Sequence, residues 1–296
     1  MNKYTVKLLF VYIHITENIL AAIKHFNLKN GTYIRYSEQG EGSPLLLLHT
    51  LRGRLEYFDE LVPYLTKKFK VIVIDLPGHG DSPIDKKTNY DHGFLTDSIV
   101  DFIEDLNLKN LTIAGESIGA VLAATIAKKI PKRIKKIFCF NSYDYDTRFA
   151  QGVMRGNFAA TFLLFHVSLP LGLGVFFDSL QSYPILWLIL RGGFYKKSAL
   201  KGDYIKLLCK STKKKGFIYH HRNVFGNYKS RFNDGNLYAN LKTPITLAYG
   251  EGDWAKQNER LKTMKALGLK SFQTMEKTGH FSFQESPKQV SEIIIG

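Results

Sequence analysis

The chain has 296 residues, of which 45% are hydrophobic and 23% are charged, so it can bury a substantial core and lacks the composition of a disordered chain. Its 41 basic and 26 acidic residues give a net charge of +15. The basic residues do not interleave with aromatic side chains on a nucleic-acid-binding module, which excludes nucleic acid as an expected partner.

The first 30 residues are expected to form an extension. Lys3 and Lys7 precede the apolar run 8–13, which resembles the core of a signal peptide. His14 interrupts that run, however, and no cleavage site of small residues follows promptly. We therefore expect an uncleaved extension that packs on the fold. Two cysteines give no disulfide framework and are typical of a reducing compartment, so a cytoplasmic location is expected.

Beyond residue 30, apolar runs and amphipathic stretches alternate along the chain. Strands are predicted at about 33–38, 44–48, 70–75, 111–115, 135–140, 244–249 and 270–276. Helices are predicted at about 55–67, 92–106, 118–129, 256–267 and 287–295. This alternation predicts an α/β fold with a mostly parallel sheet flanked by helices, and sites at the carboxyl ends of its strands.

The most informative motif is G-x-S-x-G, formed by residues 115–119 with Ser117 at its centre. The five-residue pattern arises by chance on the order of one time in ten in a chain of this length. Here it follows an apolar run and opens an Ala-rich helical stretch, the context in which a tight strand-to-helix turn exposes a serine hydroxyl. We predict that Ser117 is a nucleophile.

A serine needs a base to take its proton and an acid to orient that base. Asp253 lies in the loop after the predicted strand 244–249, and His280 follows the predicted strand 270–276. The chain order Ser117, Asp253, His280 differs from the orders found in chymotrypsin-like and subtilisin-like proteases. We predict Asp253 as the orienting acid and His280 as the base.

These segments resemble the α/β-hydrolase-fold superfamily, in particular serine hydrolases of the esterase, lipase and C-C hydrolase kind. The resemblance is carried by four segments: 45–50, 75–82, the Ser117 motif, and the paired loops 250–253 and 278–280. It implies a core formed by residues 31–145 and 241–296, with a helical cap inserted at 146–240. Together the motifs are highly specific for the superfamily and weakly specific for a substrate. The chemistry implied requires no metal and no organic cofactor.

The resemblance also implies an oxyanion hole, formed by the backbone N–H groups of Ile118 and Leu51. Thr50 stands where similar proteins usually carry glycine, and threonine tolerates positive φ poorly, so the loop is expected to depart from the common form. Arg52 could place a cation near the developing negative charge. An exposed basic loop residue is the simpler interpretation of Arg52.

Several histidines and carboxylates compete for the same roles. His49 and His79 are interpreted as supports of their turns, and the pair 220–221 as part of a solvated loop. Asp144 and Asp146 follow the predicted strand 135–140, where related folds also place the acid, and they are the alternatives to Asp253. No metal-ligand spacing occurs in the sequence.

The expected cap is unusually apolar, with no charged residue from Gly156 to Phe177. Its length would suffice for a membrane span, but a span here would separate Ser117 from its partners, so we do not expect one. Its helices either bury their apolar faces on the core or partly line a pocket above the serine. The predicted pocket residues are Thr50, Arg52, Glu116, Phe158, Phe162, Trp187, Trp254 and Phe281.

The expected function is hydrolysis of a carboxylic ester or related acyl compound with a hydrophobic group, through a Ser-His-Asp triad and an acyl-enzyme. C-C bond hydrolysis by the same triad and a non-catalytic protein that binds a small ligand remain the alternatives. Haloalkane dehalogenase and epoxide hydrolase chemistry is disfavoured, because those relatives carry aspartate at the nucleophile position. A positive surface could draw the protein peripherally to anionic lipid. The sequence leaves the oligomeric state open.

Overall fold

The computed structural model describes residues 22–170, 172–233, 236–239 and 241–296. The apolar run 8–13 therefore lies outside the described residues. The described residues form an eight-stranded sheet in the order β1-β2-β4-β3-β5-β6-β7-β8. The strands are β1 Lys24–Asn27, β2 Tyr33–Gln39, β3 Ser43–Leu48, β4 Phe69–Ile74, β5 Leu111–Glu116, β6 Ile134–Phe140, β7 Ile245–Gly250 and β8 Gln273–Met275.

Strands β4, β3, β5, β6, β7 and β8, in that spatial order, are parallel to one another. The pairs at the β1 edge of the sheet are antiparallel. β1 pairs antiparallel with β2, and β2 pairs antiparallel with β4, whereas each remaining neighbouring pair is parallel. This confirms the predicted α/β fold with a mostly parallel sheet.

The α-helices of the described residues are short to medium in length. They are α1 Val62–Leu65, α2 His92–Asp105, α3 Ile118–Lys129, α4 Phe158–Val167, α5 Leu173–Ser179, α6 Tyr183–Arg191, α7 Gly202–Thr212, α8 Phe217–Gly226, α9 Gln257–Ala266, α10 Ser282–Glu285 and α11 Pro287–Ile295. Helices α4 to α8 lie between β6 and β7 in the chain, in the segment expected to form the cap.

Alternate side chains of each central strand enter the cores on the two faces of the sheet. In β3, Leu46 and Leu48 pack in the core that includes α2 and α3, while Leu45 and Leu47 pack in the core that includes Phe283. A strand buried on both faces is apolar throughout, which is why the run 45–48, four leucines, contains no polar residue.

Three elements differ from the sequence prediction. Residues 24–27 were expected in the extension but form edge strand β1, which pairs with β2, so the sheet begins before residue 31. The helix expected at 55–67 is instead a 3-10 turn, Leu55–Phe58, followed by the single-turn α1. Pro63 lies in the first turn of α1 and lacks an N–H, so it starts a new helix and does not continue the preceding one. The last strand is shorter than expected.

No single helix among the described residues has both the length and the apolar composition needed to cross a membrane. Helices α5 and α6 have the required length and apolar composition only when they are taken together, and the chain bends by 93° between them.

Candidate active site

Ser117 sits on the turn between β5 and α3. Its backbone has φ 60° and ψ −120°, an unusual conformation for a residue other than glycine, and its N–H donates to the Phe140 carbonyl at 2.9 Å. Close backbone packing surrounds the turn. A Cβ at Gly115 would lie 2.0 Å from the Gly119 carbonyl oxygen, and a Cβ at Gly119 would lie 2.3 Å from that of Leu48. The two glycines of the motif are therefore required by steric contact.

The structure brings Ser117, His280 and Asp253 together. The Ser117 Oγ lies 2.9 Å from the His280 Nε2, and the His280 Nδ1 contacts the Asp253 Oδ1. The second carboxylate oxygen of Asp253 accepts a hydrogen bond from the Ala255 N–H at 2.9 Å. Because the carboxylate can only accept, the Nδ1 carries the imidazole proton and the Nε2 lone pair faces the serine hydroxyl. All three side chains are buried.

Asn141, which no sequence motif predicted, connects the two loops that supply the acid and the histidine. Its side-chain Nδ2 donates to the His280 carbonyl at 2.9 Å, and its Oδ1 accepts from the Gly250 N–H at 2.7 Å. Asn141 follows β6 with a positive φ of 48°, a conformation that asparagine tolerates better than most residues. A single asparagine after a strand was the only sequence signal for this link.

Glu116 was predicted in the substrate pocket, and this is wrong. Its carboxylate lies beneath the turn, where it accepts hydrogen bonds from the Ser282 hydroxyl at 2.5 Å, the Phe283 N–H at 3.2 Å and the Tyr57 hydroxyl. The side chain is fully buried, and this burial raises the pKa of Glu116 to about 7. Glu116 thus connects the serine turn to the segment that follows His280.

The two predicted oxyanion donors lie beside Ser117. Ile118 is the first residue of α3, so its N–H has no acceptor within the helix. Leu51 lies with Thr50 and Ser117 in the wall of a cleft. The strained residue of this loop is Arg52, with φ 63°, and Thr50 avoids a positive φ. The loop therefore places its left-handed residue two positions after the threonine.

A cleft opens in front of Ser117. Apart from Ser117 and the loop residues Thr50 and Arg52, its walls are aromatic or aliphatic, with the phenol of Tyr143 as a further polar group. They comprise Leu51, Tyr143, Val153, Leu164, Ile189, Leu190, Phe225, Trp254 and Phe281. A concave site with apolar walls and few polar groups is typical of a small-molecule site.

Comparison with known proteins agrees with the fold. A family model described as the alpha/beta hydrolase fold matches residues 43–165, which include β3 to β6 and the Ser117 turn. Together with the sheet topology, this match shows that the chain has the α/β-hydrolase fold.

Curated relatives of this hydrolase-fold protein match it over less than half of their own length. (E)-2-((N-methylformamido)methylene)succinate hydrolase of Acinetobacter baylyi is 31% identical over 118 residues, which cover 40% of this chain and 44% of the relative. A pimeloyl-[acyl-carrier protein] methyl ester esterase of Legionella pneumophila is 28% identical over 109 residues, covering 37% and 42%.

Solved structures match over nearly the whole chain at low sequence identity. A membrane phospholipase A described as a bacterial virulence factor has a TM-score of 0.75 at 19% identity, covering 99% of this chain and 91% of its own. A meta-cleavage product hydrolase from Pseudomonas fluorescens has a TM-score of 0.73 at 18% identity, covering 92% and 96%. At these identities the similarity establishes the fold alone.

In this hydrolase-fold protein, the competing carboxylates make other contacts. Asp144 accepts from the Thr263 hydroxyl at 2.8 Å, and Asp146 accepts from the Gly152 N–H at 2.9 Å. Burial raises the pKa of each to about 6. It is Asp253 that contacts His280.

The competing histidines support turns of the hydrolase-fold protein. His49 donates from Nδ1 to the Thr50 carbonyl at 2.7 Å and accepts at Nε2 from the Leu76 N–H at 3.0 Å. The His79 Nδ1 lies 3.1 Å from the Pro77 carbonyl oxygen. Burial lowers the pKa of His49 to about 4 and that of His79 well below its usual value, so both rings are neutral near pH 7.

The interpretation of residues 220–221 as a solvated loop is wrong. Both histidines lie in α8 and are buried. His220 packs edge-on against His79 and Tyr90, with ring centroids 4.6 and 4.5 Å apart, and the His221 Nδ1 lies 2.7 Å from the Asp178 carboxylate. The lysines that precede them suggested that this segment is exposed to solvent. Its burial depends on contacts with residues 75–90, which are distant in the chain and leave no local signal in the sequence.

Arg52 is half-buried, so its interpretation as an exposed loop residue is also wrong. Its guanidinium donates to the Gln181 side-chain oxygen, and burial lowers the pKa of Arg52 to about 10. It remains the charged side chain of the cleft lining.

Three other predicted pocket residues lie outside the cleft. Phe158 and Phe162 are 81% and 48% exposed on the outer side of α4, because the spacing of the helix directs Leu164 inward in their place. Trp187 packs under the Arg191 guanidinium at 4.1 Å and against the core. Thr50, Arg52, Trp254 and Phe281 do line the cleft.

Proposed function

We propose that this chain is a serine hydrolase that cleaves carboxylic esters or related acyl compounds carrying a hydrophobic group. The observation that carries the proposal is the continuous contact from the Ser117 Oγ through the His280 ring to the Asp253 carboxylate, at a turn facing an apolar cleft. A neutral imidazole that faces a hydroxyl is positioned to act as its general base.

In the proposed reaction, the His280 Nε2 takes the Ser117 proton as the Oγ attacks the acyl carbon. The carbonyl oxygen becomes an oxyanion, which accepts hydrogen bonds from the backbone N–H groups of Ile118 and Leu51. Asp253 holds the Nδ1 proton and stabilises the imidazolium without taking the proton itself. The tetrahedral intermediate then collapses, and the leaving alcohol takes the proton from His280. This leaves an acyl group on Ser117.

Hydrolysis of the acyl-enzyme uses the same groups in reverse. A water molecule gives a proton to the His280 Nε2 while its oxygen attacks the acyl carbon, and a second oxyanion forms at the same two N–H groups. Collapse breaks the bond to Ser117, whose Oγ recovers the proton from His280. The products are a carboxylic acid and an alcohol, and the enzyme returns to its starting state.

The hydrophobic part of the substrate follows from the cleft. Val153, Leu164 and Ile189 present aliphatic walls that would exclude water from an acyl or alkyl chain. The esterase named among the relatives acts on a methyl ester of an acyl group, which supports acyl chemistry in this chain. We expect a higher kcat/KM for hexanoyl and octanoyl esters than for acetyl esters of one leaving group.

A fluorophosphonate probe tests the proposal, because it reacts with an activated serine and leaves an unactivated one unmodified. The wild type should be labelled. Ser198→Ala is the control variant: it removes an exposed serine that lies far from His280 in sequence, and it should be labelled as well. Ser117→Ala should not label. No labelling of the wild type would contradict the proposal and favour a non-catalytic binding protein. Labelling without turnover of any ester in an acyl-length panel would contradict ester hydrolysis and favour C-C bond hydrolysis, the other activity open to the same triad.

A further inference from the structure

The outer surface of helices α4 to α6 exposes an unusual concentration of large apolar side chains. Of the thirteen large hydrophobic residues that are exposed within the described residues, nine lie between residues 158 and 188. These nine, which we call the apolar face, are Phe158, Phe162, Phe165, Leu173, Val175, Phe176, Leu180, Tyr183 and Leu188. Monomeric proteins exposed only to water rarely concentrate apolar side chains in this way.

Ring contacts show that much of the apolar face is contiguous. Phe158 and Phe162 lie on one side of α4, and their ring centroids are 6.2 Å apart. Phe162 contacts Phe177 of α5 at 6.4 Å, and Phe177 contacts Phe176 at 5.4 Å. The aromatic surface therefore continues from α4 onto α5, with the partly buried His166 ring packed between Phe162 and Phe177 at 4.2 and 4.5 Å.

Helix α4 is apolar on both sides. Ala160, Leu163, Leu164 and Val167 are buried against neighbouring elements, while Phe158, Phe162 and Phe165 point outward at spacings of four and three residues. A surface helix of a protein exposed only to water normally carries polar residues on its outer side. An apolar outer side is typical of a helix that lies in a membrane interface or against another protein.

The charges around the apolar face decide between these occupants. From residue 147 to residue 202, the exposed charged side chains are basic: Arg148, Lys196, Lys197 and Lys201, of which Lys201 forms an ion pair with Glu60. The carboxylate within this range, Asp178, is buried against His221 and Gln181. A second copy of the chain would bring like charges together across the contact, whereas anionic headgroups would attract them.

The helices that carry the apolar face also form the wall of the cleft. Leu164 on the inner side of α4 and Ile189 and Leu190 of α6 line the cleft that contains Ser117. Phe165 and Leu188, which immediately neighbour two of these residues in the chain, are exposed on the outer side. A single layer of helices would thus separate a surface that contacts the apolar face from the cleft.

We propose that the apolar face docks on an anionic lipid bilayer, with the outer side chains of α4 and α5 in the interfacial region and the flanking lysines and arginine at the headgroups. The contact is peripheral and leaves the described fold intact. Docking is independent of the proposed hydrolysis. Its consequence for catalysis, delivery of a lipid-dissolved ester to the cleft, rests on that proposed function.

The test compares two triple variants of the full chain. Phe158→Ser/Phe165→Ser/Phe176→Ser removes three exposed rings from the apolar face. Ile23→Ser/Tyr64→Ser/Leu261→Ser removes three exposed apolar side chains elsewhere, at 47%, 39% and 37% exposure, and serves as the matched control. Co-flotation with phosphatidylglycerol and with phosphatidylcholine vesicles, each at low and high salt, measures the partition coefficient.

We expect the wild type and the control to bind phosphatidylglycerol vesicles at least about tenfold more strongly than phosphatidylcholine vesicles at low salt, and the face variant to lose about tenfold or more. Unchanged binding of the face variant would overturn the proposal and assign binding to another segment, such as residues 1–21. Equal binding to both lipids would overturn the anionic specificity. A wild-type oligomer that dissociates in the face variant, without vesicle binding, would identify the apolar face as a contact between copies.

A Ser117→Ala protein separates this proposal from the proposed hydrolysis. It should bind vesicles as the wild type does, because Ser117 lies inside the cleft. If it binds but the wild type hydrolyses no ester, docking stands and the proposed function fails. If the wild type hydrolyses soluble esters but neither protein floats with vesicles, the proposed function stands and docking fails.

Discussion

The indole of Trp254 stacks face to face on the imidazole of His280, with ring centroids 3.9 Å apart and an angle of 17° between the planes. Trp254 directly follows Asp253 in the chain, so one loop supplies both the carboxylate at the edge of the histidine ring and the aromatic surface over its face. The indole is itself anchored, because its Nε1 donates to the Gly192 carbonyl at 3.1 Å. His280 is thereby fixed in position and in rotation.

Replacement of this stacked ring should lower the rate of ester hydrolysis. The proposed reaction turns the imidazole into an imidazolium, which an aromatic face stabilises by about 0.5–2 kcal/mol. We expect Trp254→Leu to lower kcat by roughly 2- to 30-fold, and Trp254→Phe to retain most of the activity because it keeps the aromatic face. Steady-state kinetics with one soluble ester measures both. Equal losses in the two variants would indicate that packing, and not the π face, is what matters.

Asp253→Asn should lower kcat far more. An amide at this position can donate to the His280 Nδ1 and so favour the tautomer whose Nε2 proton blocks acceptance from Ser117. By comparison with the same change in other triads, kcat should fall by about a thousand- to ten-thousandfold. Asp146→Asn is the control, since an amide oxygen can still accept from the Gly152 N–H and the residue does not touch His280. A comparable loss in the control would contradict the assignment of the acid.

The sequence predicted the parallel strands and the serine turn because their signals are local. The run 45–48 and the glycines 115 and 119 are each determined by immediate neighbours: burial on both faces of the sheet, and backbone contact too close for a Cβ. Strand β1 lacked such a signal. It has four residues of mixed polarity and becomes a strand only because the edge of β2 is available for pairing.

The cleft lining was only partly predictable for a similar reason. Because α4 is apolar all round, its pattern does not distinguish the inward Leu164 from the outward Phe162. The role of Asn141 depends on Gly250 and His280, which lie more than one hundred residues away in the chain. Such contacts are set by tertiary structure, which periodicity and propensity do not encode.

Gly119→Ala should destabilise the protein. The added Cβ would lie 2.3 Å from the Leu48 carbonyl oxygen, and the backbone on both sides would have to shift. Overpacking of this kind costs about 1–3 kcal/mol, which we expect as a loss in the free energy of unfolding measured with urea. Gly226→Ala is the matched control, because φ is −60° and no atom lies within 4 Å of the new Cβ. It should be neutral or stabilise by about 0.4–1 kcal/mol.

Glu116 should make stability depend on pH. Burial raises its pKa from 4.5 to about 7, so between these values the folded state binds more protons than the unfolded state. The contribution of Glu116 to the free energy of unfolding therefore falls as pH rises from about 4.5 to about 7, by at most about 1.4 kcal/mol per pH unit. Glu116→Gln removes this titration. Denaturation of both proteins across the range should show the wild type losing stability relative to the variant. A difference that is constant with pH would contradict the raised pKa.

Selectivity for acyl length should depend on Val153, which lies in the wall of the cleft and is only partly buried. In Val153→Phe the larger side chain would occupy space that a long acyl chain needs, while an acetyl group near Ser117 would still fit. Each methylene excluded from an apolar site forgoes about 0.8 kcal/mol of transfer free energy, so kcat/KM for octanoyl esters should fall by about tenfold or more, with little change for acetyl esters. Phe162→Ala is the control because its ring points outward. If Phe162→Ala altered the acyl-length profile as strongly as Val153→Phe, the outer side of α4 would have to close over the cleft during turnover.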